Sequence, residues 1–414
     1  MLPFHRETLP CGATLLLKEN HSVPLAAVDL WVAAGAALER EDEGGISHFL
    51  EHLFFKGTPT RPVGVMDRQV KALGGYNNAA TSYDFTHYYV VLPSEHVNLA
   101  LEILTDALLN MSLPTEEIER ERHVILEEIA RKDDSPLGKL YDEFLKLAFA
   151  GTPYERPILG TPESLAGIDR DRFVDYRNRF YGPGNLHVAV AGDIHPKSVS
   201  DRLAELLGDL SPSEPSRPES LDGAEELKRA EFEIAKDVQQ TYLCLGVRTP
   251  AVLGTPEEIG LDLIAALLGE GRSSRLVYRL MEREGLCSSV SAFAWTLDRI
   301  GLFGVEACYQ GEDEHEVLSI LEEEFQRVRT EAIPDEEIEK AKTQLLTGHA
   351  LGLEKNSSMA GVLGRNSMTD RLEEVVAYEE RVRSLSGEEA QEIVNRLCPP
   401  DGFVTGYVRP EKTR

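Results

Sequence analysis

Apolar positions along the chain switch between two periods. Residues 26–32 (AAVDLWV) lean toward the two-residue alternation of a strand, and residues 83–92 (YDFTHYYVVL) are rich in the Thr, Tyr and Val that favour one. In residues 44–55 (GGISHFLEHLFF), apolar side chains instead recur at helical spacing behind an opening glycine and serine. Helices are also predicted over 96–111 and 116–132. The second follows Pro114-Thr115, with Thr115 a candidate N-cap and Ile118, Val124, Leu126 and Ile129 available to pack. Residues 186–191 (LHVAVA) and 402–408 both read as closing strands. Strands mixed with paired helices predict an α+β class.

The pattern occurs twice. LPTEEIER at 113–120 returns as IPDEEIEK at 333–340, 220 residues later, and Glu95-His96-Val97 has a counterpart in EHEVL at 314–318. Landmarks repeated in one order, at so long a period, indicate two copies of a domain rather than a solenoid. Each copy is expected to mix strands with paired helices. A stretch rich in Pro, Ser and Glu, SPSEPSRPES at 211–220, lacks usable periodicity and reads as exposed connection. The expected division is an N-terminal domain at 1–214, a linker at 215–224 and a homologous C-terminal domain at 225–414.

Composition narrows the function classes. A chain of 414 residues exceeds the size at which one core keeps growing, in agreement with two domains. A net charge of −28 excludes the basic footprint that nucleic acid requires. Cys11, Cys244, Cys287, Cys308 and Cys398 are scattered without C-x-x-C spacing, so neither a disulfide framework nor a thiolate zinc site is expected. The apolar stretches are too short or too interrupted to span a bilayer. The start, MLPFHRETLP, lacks the features of a signal peptide, which makes the cytoplasm the expected compartment, or the periplasm if a signal has been removed.

The chemistry concentrates in His48-Phe49-Leu50-Glu51-His52. On a helix, His48 and His52 stand one above the other, so two imidazoles can grip one ion. Such a pair suits zinc, and a catalytic site adds one more protein ligand while leaving a position open for water. Glu51 shares the histidine face and is placed to take that water's proton. Glu121 and Glu128, two helical turns apart, share a face of the helix predicted over 116–132. Glu128 is the candidate third ligand. Glu121 would accept a hydrogen bond from a histidine ring and fix its tautomer.

With these motifs in hand, the whole chain resembles the inverted-zincin family of pitrilysin, insulysin and the mitochondrial processing peptidase. GGISHFLEHLFFKGT at 44–58 is close to the processing-peptidase branch, and the 75 residues between His52 and Glu128 match the family's spacing. The resemblance implies a zinc-dependent endopeptidase or oligopeptidase subunit with one zinc per chain. Ligands would be His48, His52 and Glu128, the base Glu51, and Glu121 the outer partner. It implies two homologous α+β domains, each a mainly antiparallel sheet packed against helices, and pairing with a second such chain into a closed chamber. Residues 75–89 resemble the family's substrate strand, so that Asn78, Ala79, Ala80 and Thr81 would offer backbone groups to an extended peptide.

Two departures matter. Aligning the repeats puts Leu263, Ala266 and Leu267 where His48, Glu51 and His52 stand, and Ala341 and Gly348 opposite Glu121 and Glu128, so the second domain carries no metal site. Catalytic relatives have an Arg and a Tyr seven residues apart in that domain to meet substrate and oxyanion; here Met281 and Ser288 hold those positions. A heterodimer with a homologous subunit supplying the Arg/Tyr pair is therefore expected, rather than a homodimer. The rival readings are a structural or assembly subunit that retains zinc without turnover, and a peptide-recognition module.

Overall fold

The computed structural model describes residues 4–208, 210–211, 213–214, 221 and 227–411. The linker expected at 215–224 lies outside the described residues except for residue 221. The chain forms two compact units. The first gathers Met1–Ile129, Arg156–Glu219 and Leu351–Val376; the second gathers Ala130–Glu155, Ser220–Ala350 and Ala377–Arg414.

The first unit is built on strands β1 (His5–Thr8), β2 (Thr14–Glu19), β3 (Leu25–Val32), β4 (Tyr76–Thr81), β5 (Thr86–Pro93) and β6 (Leu186–Gly192). They lie in the order β1-β2-β6-β3-β5-β4. Only β2 and β6 run parallel among these neighbours. Alternation along β3 explains its central place. Val28, Leu30 and Val32 face one core with Phe49 and Leu50 of helix α1 (Ile46–Phe54). Leu101 and Leu104 of α3 (Val97–Asn110) join them, while the shorter α2 (Val65–Ala72) leads into β4. On the other face Ala27, with Leu16, Ala189 and Ala191, packs against Met359, Ala360 and Leu363 of the helix Asn356–Met368. That helix lies so close that a Cβ on Gly364 would stand 2.3 Å from the Trp31 indole.

Three local expectations are revised. The strand expected from residue 83 begins at Thr86, because Ser82 N–H donates to the Phe85 carbonyl and closes a turn first. Thr115 is the first residue of helix α4 (Thr115–Asp134) rather than its cap. Val124 stays 43% exposed and Ile125 fills the core beside Ile118 instead.

The second unit repeats the plan. Strands β7 (Ala230–Lys236), β8 (Thr241–Pro250), β9 (Cys287–Thr296), β10 (Ile300–Tyr309) and β11 (Phe403–Pro410) run in the order β7-β11-β8-β10-β9. Their single parallel pair, β7 with β11, matches β2 with β6. The fold is thus α+β, with two homologous domains of mainly antiparallel sheet and helices. In the helix Pro256–Gly269, which corresponds to α1, Leu263, Ala266 and Leu267 are all buried. Helix α5 (Pro136–Ala148) belongs to this unit. Its Phe144 ring would meet a Cβ on Gly246 of β8 at 2.9 Å. No helix among the described residues is long and apolar enough to cross a membrane.

Candidate metal centre

Helix α1 starts where the backbone cannot accept a side chain. Gly45 has φ +89°, and a Cβ there would stand 2.7 Å from the Leu159 carbonyl oxygen, so only glycine fits. The cap comes from upstream. The buried Glu39 carboxylate accepts the Gly45 and Ser47 N–H groups, both at 2.8 Å, and the Ser47 hydroxyl at 2.6 Å. Burial pushes the Glu39 carboxyl up to about 7, with the Ser47 and Gly45 donors holding it back. Phe49 and Leu50 are fully buried, and the Phe54 ring stacks on Tyr88 with centroids 3.5 Å apart. With its apolar face anchored in this way, α1 turns His48, Glu51 and His52 toward α4 and β4.

On α4, buried Ile118 and Ile125 hold the helix to the core, and Glu121 and Glu128 meet the histidines. Glu128 Oε2 lies 3.9 Å from His48 Nε2 and 3.7 Å from His52 Nε2. These separations are too long for hydrogen bonds, but the three donor atoms lie within 4.8 Å of one another, as atoms around a common centre do. Two imidazoles and a carboxylate are a donor set that suits zinc. His52 Nδ1 is 3.1 Å from Glu121 Oε2, which leaves Nε2 as the nitrogen facing Glu128. Glu121 is nearly buried, and its other oxygen takes the Lys56 ammonium at 2.6 Å. Burial pushes the Glu121 carboxyl up, but the bonds from His52 and Lys56 outweigh it and hold the group below its usual range.

Glu51 does not join the three donors. Its Oε2 accepts the Thr81 hydroxyl at 2.6 Å. Burial pushes its carboxyl up, with Glu128 adding to the rise and Thr81 and His52 opposing it. Asn78, Ala79, Ala80 and Thr81 lie in β4, which ends the sheet order and pairs with β5 alone. Along β4, Tyr76, Asn78 and Ala80 are exposed, while Asn77, Ala79 and Thr81 are partly buried. In the second unit, Met281 packs against the core and the Ser288 hydroxyl lies 3.2 Å from both Gln240 Oε1 and the Cys308 carbonyl.

The sequence reading brought out His48, Glu51, His52, Glu121 and Glu128 but missed Glu39, Lys56 and the side-chain role of Thr81. Lys56 had a signal, since it stands four residues beyond His52 on the same stripe. Glu39 and Thr81 reach α1 through tertiary contacts that no local period announces.

The family model described as Insulinase (Peptidase family M16) matches residues 14–162, and that described as Peptidase M16 inactive domain matches residues 167–345. An uncharacterized zinc protease of Mycobacterium leprae is 34% identical over 370 residues, covering 88% of this chain and 82% of its own. One of Rickettsia felis is 30% identical over 397 residues, covering 95% and 93%. A protease from Helicobacter pylori superimposes with TM-score 0.90 at 24% identity, covering 99% of this chain and 100% of that one.

Proposed function

The chain belongs to the M16 family of insulinase-type peptidases, and on that premise we propose that it hydrolyses peptides with one zinc ion held by His48, His52 and Glu128. The observation that carries the reading is the approach of these three donors to within 4.8 Å, beside a carboxylate that is not among them. Zinc bound there would supply Lewis-acid activation of a water molecule and of the scissile carbonyl.

The remaining steps belong to the chain's own groups. Glu121 accepts from His52 Nδ1–H and keeps Nε2 as the ligating nitrogen. Glu51 takes the proton of the attacking water and delivers it to the leaving amine. Thr81 holds Glu51 Oε2, which makes Oε1 the oxygen for that transfer. Along Asn78–Thr81 the open edge of β4 receives the peptide as an added strand. Neither Met281 nor Ser288 provides the guanidinium or phenol that catalytic relatives aim at the carbonyl oxygen, so a homologous partner chain supplies them.

Metal analysis alongside turnover of a quenched fluorescent peptide tests the assignment. Glu128→Gln should lose zinc. Glu51→Gln should keep it and lose turnover, since that change removes the base and not a ligand. An apo Glu51→Gln with a fully loaded Glu128→Gln would reverse the roles. A zinc-loaded wild type inert even beside a homologous chain would favour a structural subunit instead.

A further inference from the structure

His48, His52 and Lys56 follow one another at intervals of four, so two imidazoles and an ammonium line one stripe of α1 and its C-terminal turn. The helix ends at Phe54, but Lys56 N–H still donates to the Leu53 carbonyl at 3.0 Å, which keeps the stripe going. The ammonium does not point at the candidate ligands. It reaches Glu121 Oε1 at 2.6 Å while Glu121 Oε2 holds His52 Nδ1 at 3.1 Å. The Glu121 side chain is only 6% exposed, so little water can stand in for a lost partner.

We propose that Lys56 is a positioning residue for the metal centre: by pinning one oxygen of Glu121 it aims the other at His52 Nδ1 and so fixes the imidazole that would ligate zinc. A carboxylate gripped at both oxygens cannot rotate about its last bond. Gripped at one, it can turn and release the ring. The proposal rests on reading His48, His52 and Glu128 as the zinc site, and it carries a sign that simple charge repulsion does not share. A cation close to a zinc site should weaken binding through space, so removing it should tighten the metal. Positioning through Glu121 makes the opposite prediction, because removing Lys56 frees the carboxylate and slackens the ligand.

Zinc affinity of the full chain is measured by competition with a chromophoric chelator at fixed pH and ionic strength, for wild type, Lys56→Met and Lys56→Arg. The Lys56 side chain is 34% exposed, and a cooperative thermal transition of the metal-free protein checks that the variants fold. Lys56→Met should bind zinc several-fold to about tenfold more weakly, less than the roughly ten- to hundredfold that losing the ligand's own partner costs, and Lys56→Arg should recover most of the loss. The cobalt(II) form of Lys56→Met should show an altered visible spectrum. Unchanged or tighter zinc binding in Lys56→Met overturns the proposal while leaving the zinc site intact. A wild-type chain that binds no zinc, or whose zinc is indifferent to His48→Ala, removes the metal reading and this proposal with it.

Discussion

Glu51, Glu121 and Glu128 surround one pair of imidazoles, and each has different neighbours: Thr81 for the first, His52 and Lys56 for the second, the two ring Nε2 atoms for the third. A hydrogen bond to a charged group contributes about 1.5–3 kcal/mol, so losing the Thr81 hydroxyl should cost roughly tenfold or more in turnover. Thr81→Val should lower kcat with KM and zinc content unchanged, and Thr81→Ser should restore it. A rise in KM at constant kcat would assign Thr81 to strand docking instead. In the second unit, burial pushes Asp262 up from 3.8 to about 8, with Glu258 and Glu270 adding to the rise. Its native state holds a proton that the unfolded chain gives up, so the stability it contributes below pH ~4 is lost as pH climbs through about 8. Asp262→Asn should therefore raise the thermal midpoint by a few degrees near pH 8 and by less near pH 4, as unfolding scans across that range would read.

At the scale of the element, α1 and β4 behave differently toward change. A peptide added to β4 needs its backbone donors. Ala79→Pro or Ala80→Pro, whichever removes the outward N–H, should weaken peptide binding several-fold by calorimetry while zinc stays bound. Unaltered affinity in both variants would exclude this edge. Gly364→Ala forces a methyl into the Trp31 indole and should destabilise the first unit by about 1–3 kcal/mol in denaturant unfolding. These elements were not equally legible in the sequence. Helix α1 could be read because its buried Phe49, Leu50 and Leu53 repeat at helical spacing and its polar stripe carries the chemistry. The helix Asn356–Met368 shows Met359, Ala360 and Leu363 on one stripe, but periodicity names only the apolar face and not the sheet it covers. Val124 stays outside for the same reason: a helix of mixed residues leaves its inward angle to tertiary packing, which buries Ile125 instead.

Across the whole molecule the duplication was legible from LPTEEIER and IPDEEIEK, and the common strand order with one parallel pair is its structural form. The copies have diverged in chemistry, since buried Leu263, Ala266 and Leu267 occupy the place of a metal motif. With Met281 and Ser288 in the second copy, this chain alone should be a poor catalyst. Mixing it with a homologous chain that carries the Arg/Tyr pair should raise peptidase activity on the order of a hundredfold, with co-elution of the two. Full activity from the isolated chain would sink that expectation.

The helix Asn356–Met368, which clads the far face of the first sheet, also sets a schedule for synthesis. Strand β6 completes that sheet at Gly192, yet its cover is encoded roughly 160 residues later. A ribosome adding about 5–20 residues per second takes about ten to thirty seconds to deliver it. Throughout that interval Leu16, Ala27, Ala189 and Ala191 of the nascent sheet lack the helix that buries them. That nascent surface suits chaperones that shield apolar faces, and a released fragment ending before residue 356 should bind such a chaperone where the 414-residue chain does not.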